Sequence, residues 1–231
     1  MEALYRELEA LLKSKGAALV GAGDIKGLPG AGEWPVGVAV ALPLPPALVA
    51  GIAAGPTAAY EDVYDQWNAR LDEMVTAGAE FLQSRGFAAR AQSLAAVKKD
   101  ENYTTPLPHK TVATRAGLGW VGKNCLLVTP GYGPAVRISS LLTNAPLPTA
   151  APVEQSRCGG CTACQAACPG GAITGTLWQP GLARPALLNW QACQGAMEKL
   201  SRPAGLGHDL CGRCFAVCPY TKQYLNRAGA R

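Results

Sequence analysis

The chain has 231 residues, of which 48% are hydrophobic and 16% charged, with a formal charge of +5. That is enough for one good core or for a domain with a smaller one appended, and it excludes a disordered chain. No apolar run is unbroken for long enough to span a bilayer as a helix, and no dense Lys/Arg run marks a phosphate-tracking surface. The most apolar stretch, Val36 to Ile52, is cut by Pro43, Pro45 and Pro46. The N-terminus, Met1 to Glu7, carries acids and helical patterning rather than a secretory signal, so a cytoplasmic location is expected.

Leu4, Tyr5, Leu8, Leu11 and Leu12 recur at helical spacing and Gly16 follows as a stop, which predicts a first helix. Ala17 to Val20 reads as a short strand. Gly21-Ala22-Gly23-Asp24-Ile25-Lys26-Gly27 then reads as a glycine-rich loop. A dinucleotide fingerprint would need a helix to begin here, and Pro29, Gly30, Gly32 and Pro35 do not start one. Val36 to Leu42 is a buried strand, and Pro43 to Pro56 turns back, with room for a short helix. The clearest helix follows. Tyr60, Val63, Tyr64, Trp67, Leu71, Met74, Val75, Phe81 and Leu82 share one face, and Gly86 ends it.

Phe87 to Ala91 is a further strand, Lys98 to Thr105 a polar loop, and Pro108 to Ala116 a short helix stopped by Gly117. Leu126 to Thr129 and Val136 to Leu142 read as two strands joined through Pro130-Gly131-Tyr132-Gly133-Pro134. The proline-rich stretch Pro146 to Pro152 predicts a boundary. Residues 1–150 would form an α+β (or α/β) domain of mixed sheet and helix, and residues 151–231 a cysteine-rich domain.

Eight of the nine cysteines lie between Cys158 and Cys218. The first block is Cys158-x2-Cys161-x2-Cys164-x3-Cys168-Pro169, and the second is Cys211-x2-Cys214-x3-Cys218-Pro219. The unbroken first block is the ligand run of a bacterial-type ferredoxin, in which the fourth cysteine serves the other cluster. Zinc is the competing metal, but its sites favour separated C-x2-C pairs. Two 4Fe–4S clusters are therefore expected, and each would add about −2, leaving a holo charge near about +1.

By the same logic Cys158, Cys161, Cys164 and Cys218 hold one cluster, while Cys168, Cys211 and Cys214 hold the other and lack a fourth ligand. Two residues can complete it. Repeating the first spacing backward from Cys211 lands on His208, and Cys193 lies farther upstream but is a thiol. Cys125 reads as a small buried residue.

The segment His109 to Asn124 contains Arg115-Ala116-Gly117-Leu118-Gly119-Trp120-Val121-Gly122-Lys123-Asn124. It resembles the hallmark segment of epoxyqueuosine reductases, cobalamin-dependent enzymes of tRNA queuosine biosynthesis. In that family the segment precedes a ferredoxin-like domain with a four-cysteine block, an isolated cysteine and a final C-x2-C-x3-C-P. The resemblance runs from about Pro106 to Pro219 and implies Cys193 as the eighth ligand. It also implies a corrinoid-binding N-terminal domain, akin to that of the reductive dehalogenases. Arg115, Gly117, Leu118, Gly119, Trp120, Gly122, Lys123 and Asn124 would help form the corrinoid pocket. Glycines let backbone approach a flat macrocycle, and Arg115, Lys123 and Asn124 can bond its amides and phosphate.

Aligning on Pro106 sets Tyr103 where the family places an Asp, its proton donor; a Tyr does this work in the dehalogenases. Tyr103 is therefore the expected catalytic acid. The resemblance implies an iron–sulfur, corrinoid-dependent reductase that passes electrons from two 4Fe–4S clusters to a bound corrinoid and then to a small substrate. It would draw on an external low-potential electron donor. One alternative is an electron-transfer protein, or a corrinoid reductase or activator, that serves a partner protein. Another is a minimal tRNA epoxyqueuosine reductase. The longer members of the family carry a C-terminal helical-repeat domain that helps hold tRNA, and this sequence ends at Arg231. A small molecule or a corrinoid protein is therefore the expected partner, and tRNA is not.

Overall fold

Helices α1 (Glu2–Ser14) and α3 (Ala58–Ser84) are the two that the apolar periodicity predicts. The computed structural model describes residues 1–101 and 103–230. In it, Leu8 and Leu12 of α1 meet Leu71, Met74, Val75, Ala79 and Leu82 of α3 in one core. The sheet side of that core comes from Val36, Val38, Val40 and Leu42 of β2 (Val36–Pro43) and Leu141 of β6 (Val136–Thr143).

The sheet runs in the order β1-β2-β6-β3, with β1 at Leu19–Asp24 and β3 at Ala89–Ala91. β1 is antiparallel to β2, from Leu19 opposite Ala41 to Asp24 opposite Val36, and β3 is antiparallel to β6. Helices on a sheet of this kind make the fold α+β.

The first part of the glycine-rich stretch, Gly21 to Asp24, is not a loop: β1 runs on to Asp24, and the expected turn begins only after it. A Cβ on Gly21 would lie 2.6 Å from the Ala116 carbonyl oxygen, and one on Gly23 would lie 2.3 Å from the Arg115 carbonyl carbon. On β2, a Cβ on Gly37 would lie 2.6 Å from a Val112 methyl. Because side chains alternate along a strand, these glycines face away from the leucine core. They let helix α4 (His109–Arg115) lie on the sheet's opposite face, and a larger residue would push it off. α4 ends in a Schellman motif. Leu118 N–H donates to Ala113 O at 3.0 Å, Gly117 N–H donates to Thr114 O at 3.2 Å, and Gly117 has φ +71°.

The chain divides into two compact units. The first comprises residues 1–42, 67–119 and 137–153, and the second residues 43–66, 120–136 and 154–231. The boundary expected near residue 150 falls close to the last junction, and two earlier segments join the cysteine-rich part. One of these carries β4 (Trp120–Val121) and β5 (Leu127–Val128), which pair with each other. The expected hairpin between 126–129 and 136–142 is therefore not formed. Thr129 and Gly133 bond across the intervening turn instead, at 2.9 and 3.0 Å. No described helix is long and apolar enough to cross a membrane.

Candidate metal centre

Two short helices of the second unit, α5 (Ala163–Ala166) and α7 (Arg213–Ala216), pack together. Each carries a cysteine at its second position, Cys164 and Cys214, and each is followed by a Cys-Pro pair, Cys168-Pro169 and Cys218-Pro219. The turns that lead in use glycine where the backbone turns left-handed, at Gly159 (φ +50°) and Gly212 (φ +86°). In the first, Cys161 N–H donates to Cys158 O at 3.1 Å. Cys218 is the N-cap of α8 (Pro219–Arg227), with proline at the first helical position.

The thiols fall into two electrostatic groups. Burial pushes the Cys164 thiol up to about 11, and the neighbouring charges of Cys158, Cys218 and Cys161 push in the same direction. Burial likewise pushes Cys193 up to about 11, reinforced by Cys168 and Cys211 and opposed by Arg184. Cys214 is raised by burial and then by Cys211, Cys193, Cys164 and Cys168. Crowding of this kind resists four thiolates unless a polycation sits among them, and an iron–sulfur cluster supplies one.

The surrounding donors fit as well. Burial raises Cys218, and N–H groups of Tyr220 and Thr221 bond to it and pull it back down. Ala172 N–H donates to Cys168 Sγ at 3.3 Å. Trp120 Nε1, Arg213 Nε and Thr221 Oγ1 are buried without a hydrogen-bond partner among the described residues, which suits a neighbour rich in acceptor sulfur.

Cys193 reaches its group on α6 (Trp190–Ser201). Asn189 caps that helix by accepting from Ala192 N–H at 3.0 Å, and its own N–H donates to Ala172 O at 2.8 Å. α6 seats closely because Gly170 has no side chain: a Cβ there would lie 2.4 Å from Ala192 O. His208 goes elsewhere. Its Nε2 lies 3.0 Å from Asp65 Oδ1, its N–H donates to Glu61 Oε1 at 2.7 Å, and its ring lies 5.2 Å from that of Tyr64. Cys125 is buried with Val121 and Leu187 and has φ +61°.

The glycine-rich segment splits between the units. In the first, Arg115 Nε donates to Asp24 O at 2.7 Å, Gly117 is exposed, Leu118 half-buried and Gly119 buried. In the second, Trp120 is buried with its ring 5.0 Å from Tyr220 and Arg157 over its face at 5.5 Å. A Cβ on Gly122 would lie 2.7 Å from Asn124 Oδ1, which accepts from Leu126 N–H at 3.3 Å. Lys123 and Asn124 line a cavity with Cys158, Cys161, Cys164 and Cys218. Lys123 Nζ donates to Cys161 O at 2.9 Å.

Tyr103 lies in the first unit on an exposed turn with φ +54°. Its N–H donates to Asp100 O at 2.9 Å, and Lys99 lies 5.7 Å from its ring centroid.

Sequence reasoning passed over two features. No motif singles out Arg213, the first residue of α7, yet its Nη2 donates to Ala54 O at 3.0 Å. In the first unit, Ser140 Oγ donates to Gln92 Oε1 at 2.6 Å and lies 2.9 Å from His109 Nδ1. No motif flags that network, because its members come from three separate stretches of chain.

Residues 157–221 match the family of 4Fe-4S double cluster binding domains. An epoxyqueuosine reductase of Bacillus subtilis (strain 168) is 32% identical over 173 residues, covering 70% of this chain and 39% of the relative. The matched stretches span about a third of the length of such curated relatives (31% to 39%). Among solved structures, an epoxyqueuosine reductase with an epoxyqueuosine-modified tRNA-Tyr stem loop superposes with a TM-score of 0.61 at 24% identity, covering 95% of this chain and 66% of the other. A reductive dehalogenase for which a B12-dependent mechanism is suggested gives 0.71 at 18% identity, covering 96% and 33%. These two likenesses are of fold. With sequence relatives, fold and cluster domain in agreement, the chain is an epoxyqueuosine reductase-like protein with a double 4Fe–4S cluster domain.

Proposed function

We propose that this protein is an oxidoreductase in which two 4Fe–4S clusters feed a bound corrinoid that acts on a small substrate. The observation that carries the reading is the position of the glycine-rich segment, whose Lys123 and Asn124 share one cavity with Cys158, Cys161, Cys164 and Cys218. The stretch that the family resemblance assigns to the corrinoid is thus continuous in sequence with the wall of the first cluster site.

Cys158, Cys161, Cys164 and Cys218 would hold the first cluster, and Cys168, Cys193, Cys211 and Cys214 the second. The clusters supply electrons one at a time, and the corrinoid supplies a reducible cobalt. The bonds of Arg115, Lys123 and Asn124 refine the expected pocket. Each of these side chains is engaged with the protein, to Asp24 O, Cys161 O and Leu126 N–H. They hold the segment in place, and Gly117 and Leu118 are its more exposed residues, open to a macrocycle. Tyr103 keeps its role as proton donor in this reading: its hydroxyl is on an exposed side chain and its backbone is held by the turn at Asp100.

Anaerobic reconstitution with iron, sulfide and cobalamin, followed by size exclusion and absorption spectroscopy, tests the reading. Corrinoid co-eluting at about one per chain is the expected result. Cluster bands without corrinoid would overturn it in favour of an electron-transfer protein or a corrinoid activator. Restored queuosine in the tRNA of a reductase-deficient strain would instead assign the tRNA substrate that its relatives' name implies.

A further inference from the structure

We propose that each cluster has its own built-in cation from outside the ligand set, Lys123 for the first and Arg213 for the second, and that these side chains set the two reduction potentials independently. The inference needs the two clusters and does not need the corrinoid.

A 4Fe–4S centre gains one negative charge when it is reduced. A cation fixed nearby in a medium of low dielectric stabilises that state. Lys123 meets the conditions. Its turn is closed by Gly122 N–H donating to Leu126 O and Cys125 N–H to Gly122 O, at 2.9 and 2.8 Å. The side chain is 7% exposed, and no carboxylate pairs with it among the described residues. Its hydrogen-bond acceptor is a neutral carbonyl, Cys161 O, on the loop between two thiols of the first set. A buried ammonium held only by a carbonyl is costly without a countercharge. The cavity it shares with four cysteines supplies one when those thiols are ligands.

Arg213 is half-buried and is held by another route. It stands between Cys211 and Cys214. Its Nη2 donates to Ala54 O at 3.0 Å, and its buried Nε has no partner among the described residues. The turn packs closely on Ile52, because a Cβ on Gly212 would lie 2.5 Å from its methyl. The residue that bears the guanidinium is flanked by two thiols of the second set, and the unpartnered Nε is a donor left over for an acceptor such as a cluster sulfur. The guanidinium is fixed to a stretch that carries no ligand, as the ammonium is fixed to a ligand loop it does not belong to.

The experiment uses the full chain, reconstituted anaerobically with iron and sulfide and without corrinoid. Iron and sulfide are counted, and the clusters are titrated with dithionite under EPR. Lys123→Gln keeps a donor for Cys161 O but removes the charge, and Arg213→Gln does the same toward Ala54 O. Both variants are expected to keep both clusters. Each is expected to shift one cluster's reduction equilibrium at least tenfold toward the oxidised form, about 59 mV for one electron. The cluster that moves should differ between the two variants, and Lys123→Arg should titrate like the wild type. Unmoved potentials, the same cluster moving in both variants, or loss of a cluster in either Gln variant would each overturn the proposal.

Discussion

The two cysteine groups are built from chain of different reach. The first takes three thiols from seven consecutive residues, Cys158 to Cys164, and a fourth from the Cys-Pro pair that opens α8. The second takes two from the Cys211 turn, one from Cys168, and one from a helix, α6, seated by a glycine and a cap. Local spacing thus carries most of the first group, while the second depends on how α6 docks. The difference teaches that the second site is the more easily broken, and that it can be broken from residues that hold no metal.

The largest effect is expected from the ligand itself. Cys193→Ser should lower bound iron from about eight to about four per chain, with the remaining cluster titrating as the first group. His208→Ala should leave iron content unchanged, because the His208 imidazole is paired with Asp65. Iron and sulfide analysis after anaerobic reconstitution checks both, and retention of eight irons by Cys193→Ser would remove Cys193 from the ligand set.

A smaller effect is expected at Gly170. Alanine there would set its Cβ 2.4 Å from Ala192 O, so α6 must shift and carry Cys193 with it. The expected cost is about 1–3 kcal/mol, with second-cluster occupancy falling while the first cluster stays full. Smaller again is Asn189→Ala, which removes the cap on α6 at a cost of about 1 kcal/mol and should slow reconstitution of the second cluster alone. Denaturant melts paired with cluster-resolved EPR separate these outcomes. Equal loss from both clusters would end the distinction between the groups.

What the sequence made legible follows the same line between near and far. The x2 and x3 spacings show the cysteine blocks because their ligands are local, and the aromatic stripe of α3 shows a helix because its period is local. Gly21 and Gly23 misled in the other direction. Two glycines near a strand read as a loop, and only the backbone of α4 lying over them explains why a strand tolerates them. β5 was expected to pair with β6 across a proline-glycine turn, but pairing is decided by tertiary packing, and β4, only two residues long, takes its edge. The reach of Arg213 to Ala54 spans most of the chain, and no pattern in one sequence announces such a contact. The family resemblance reaches across such a gap when it implies Cys193 as the eighth ligand, and the iron count of Cys193→Ser decides that assignment.

The first unit offers a further contrast, because it deals with a buried titratable group without any metal. The His109 imidazole is pushed down to about 4, by burial first and then by the charges of Arg137 and Lys99. Ser140 Oγ gives its proton to Gln92 Oε1, so it accepts from His109 Nδ1–H and the ring sits in that network as a neutral donor. Crowded thiols resolve their charge by taking a metal, and this imidazole resolves it by shedding a proton. An unfolded histidine titrates near about 6.5. Between about 6.5 and about 4 the unfolded chain therefore binds the extra proton, so folded stability rises with pH across that window and is lost as pH falls through it. The slope from this group is at most about 1.4 kcal/mol per pH unit. Anaerobic urea melts at pH 5 and pH 7 should show a smaller difference for His109→Gln than for the wild type. An equal difference in the two proteins would place the acid sensitivity in other groups.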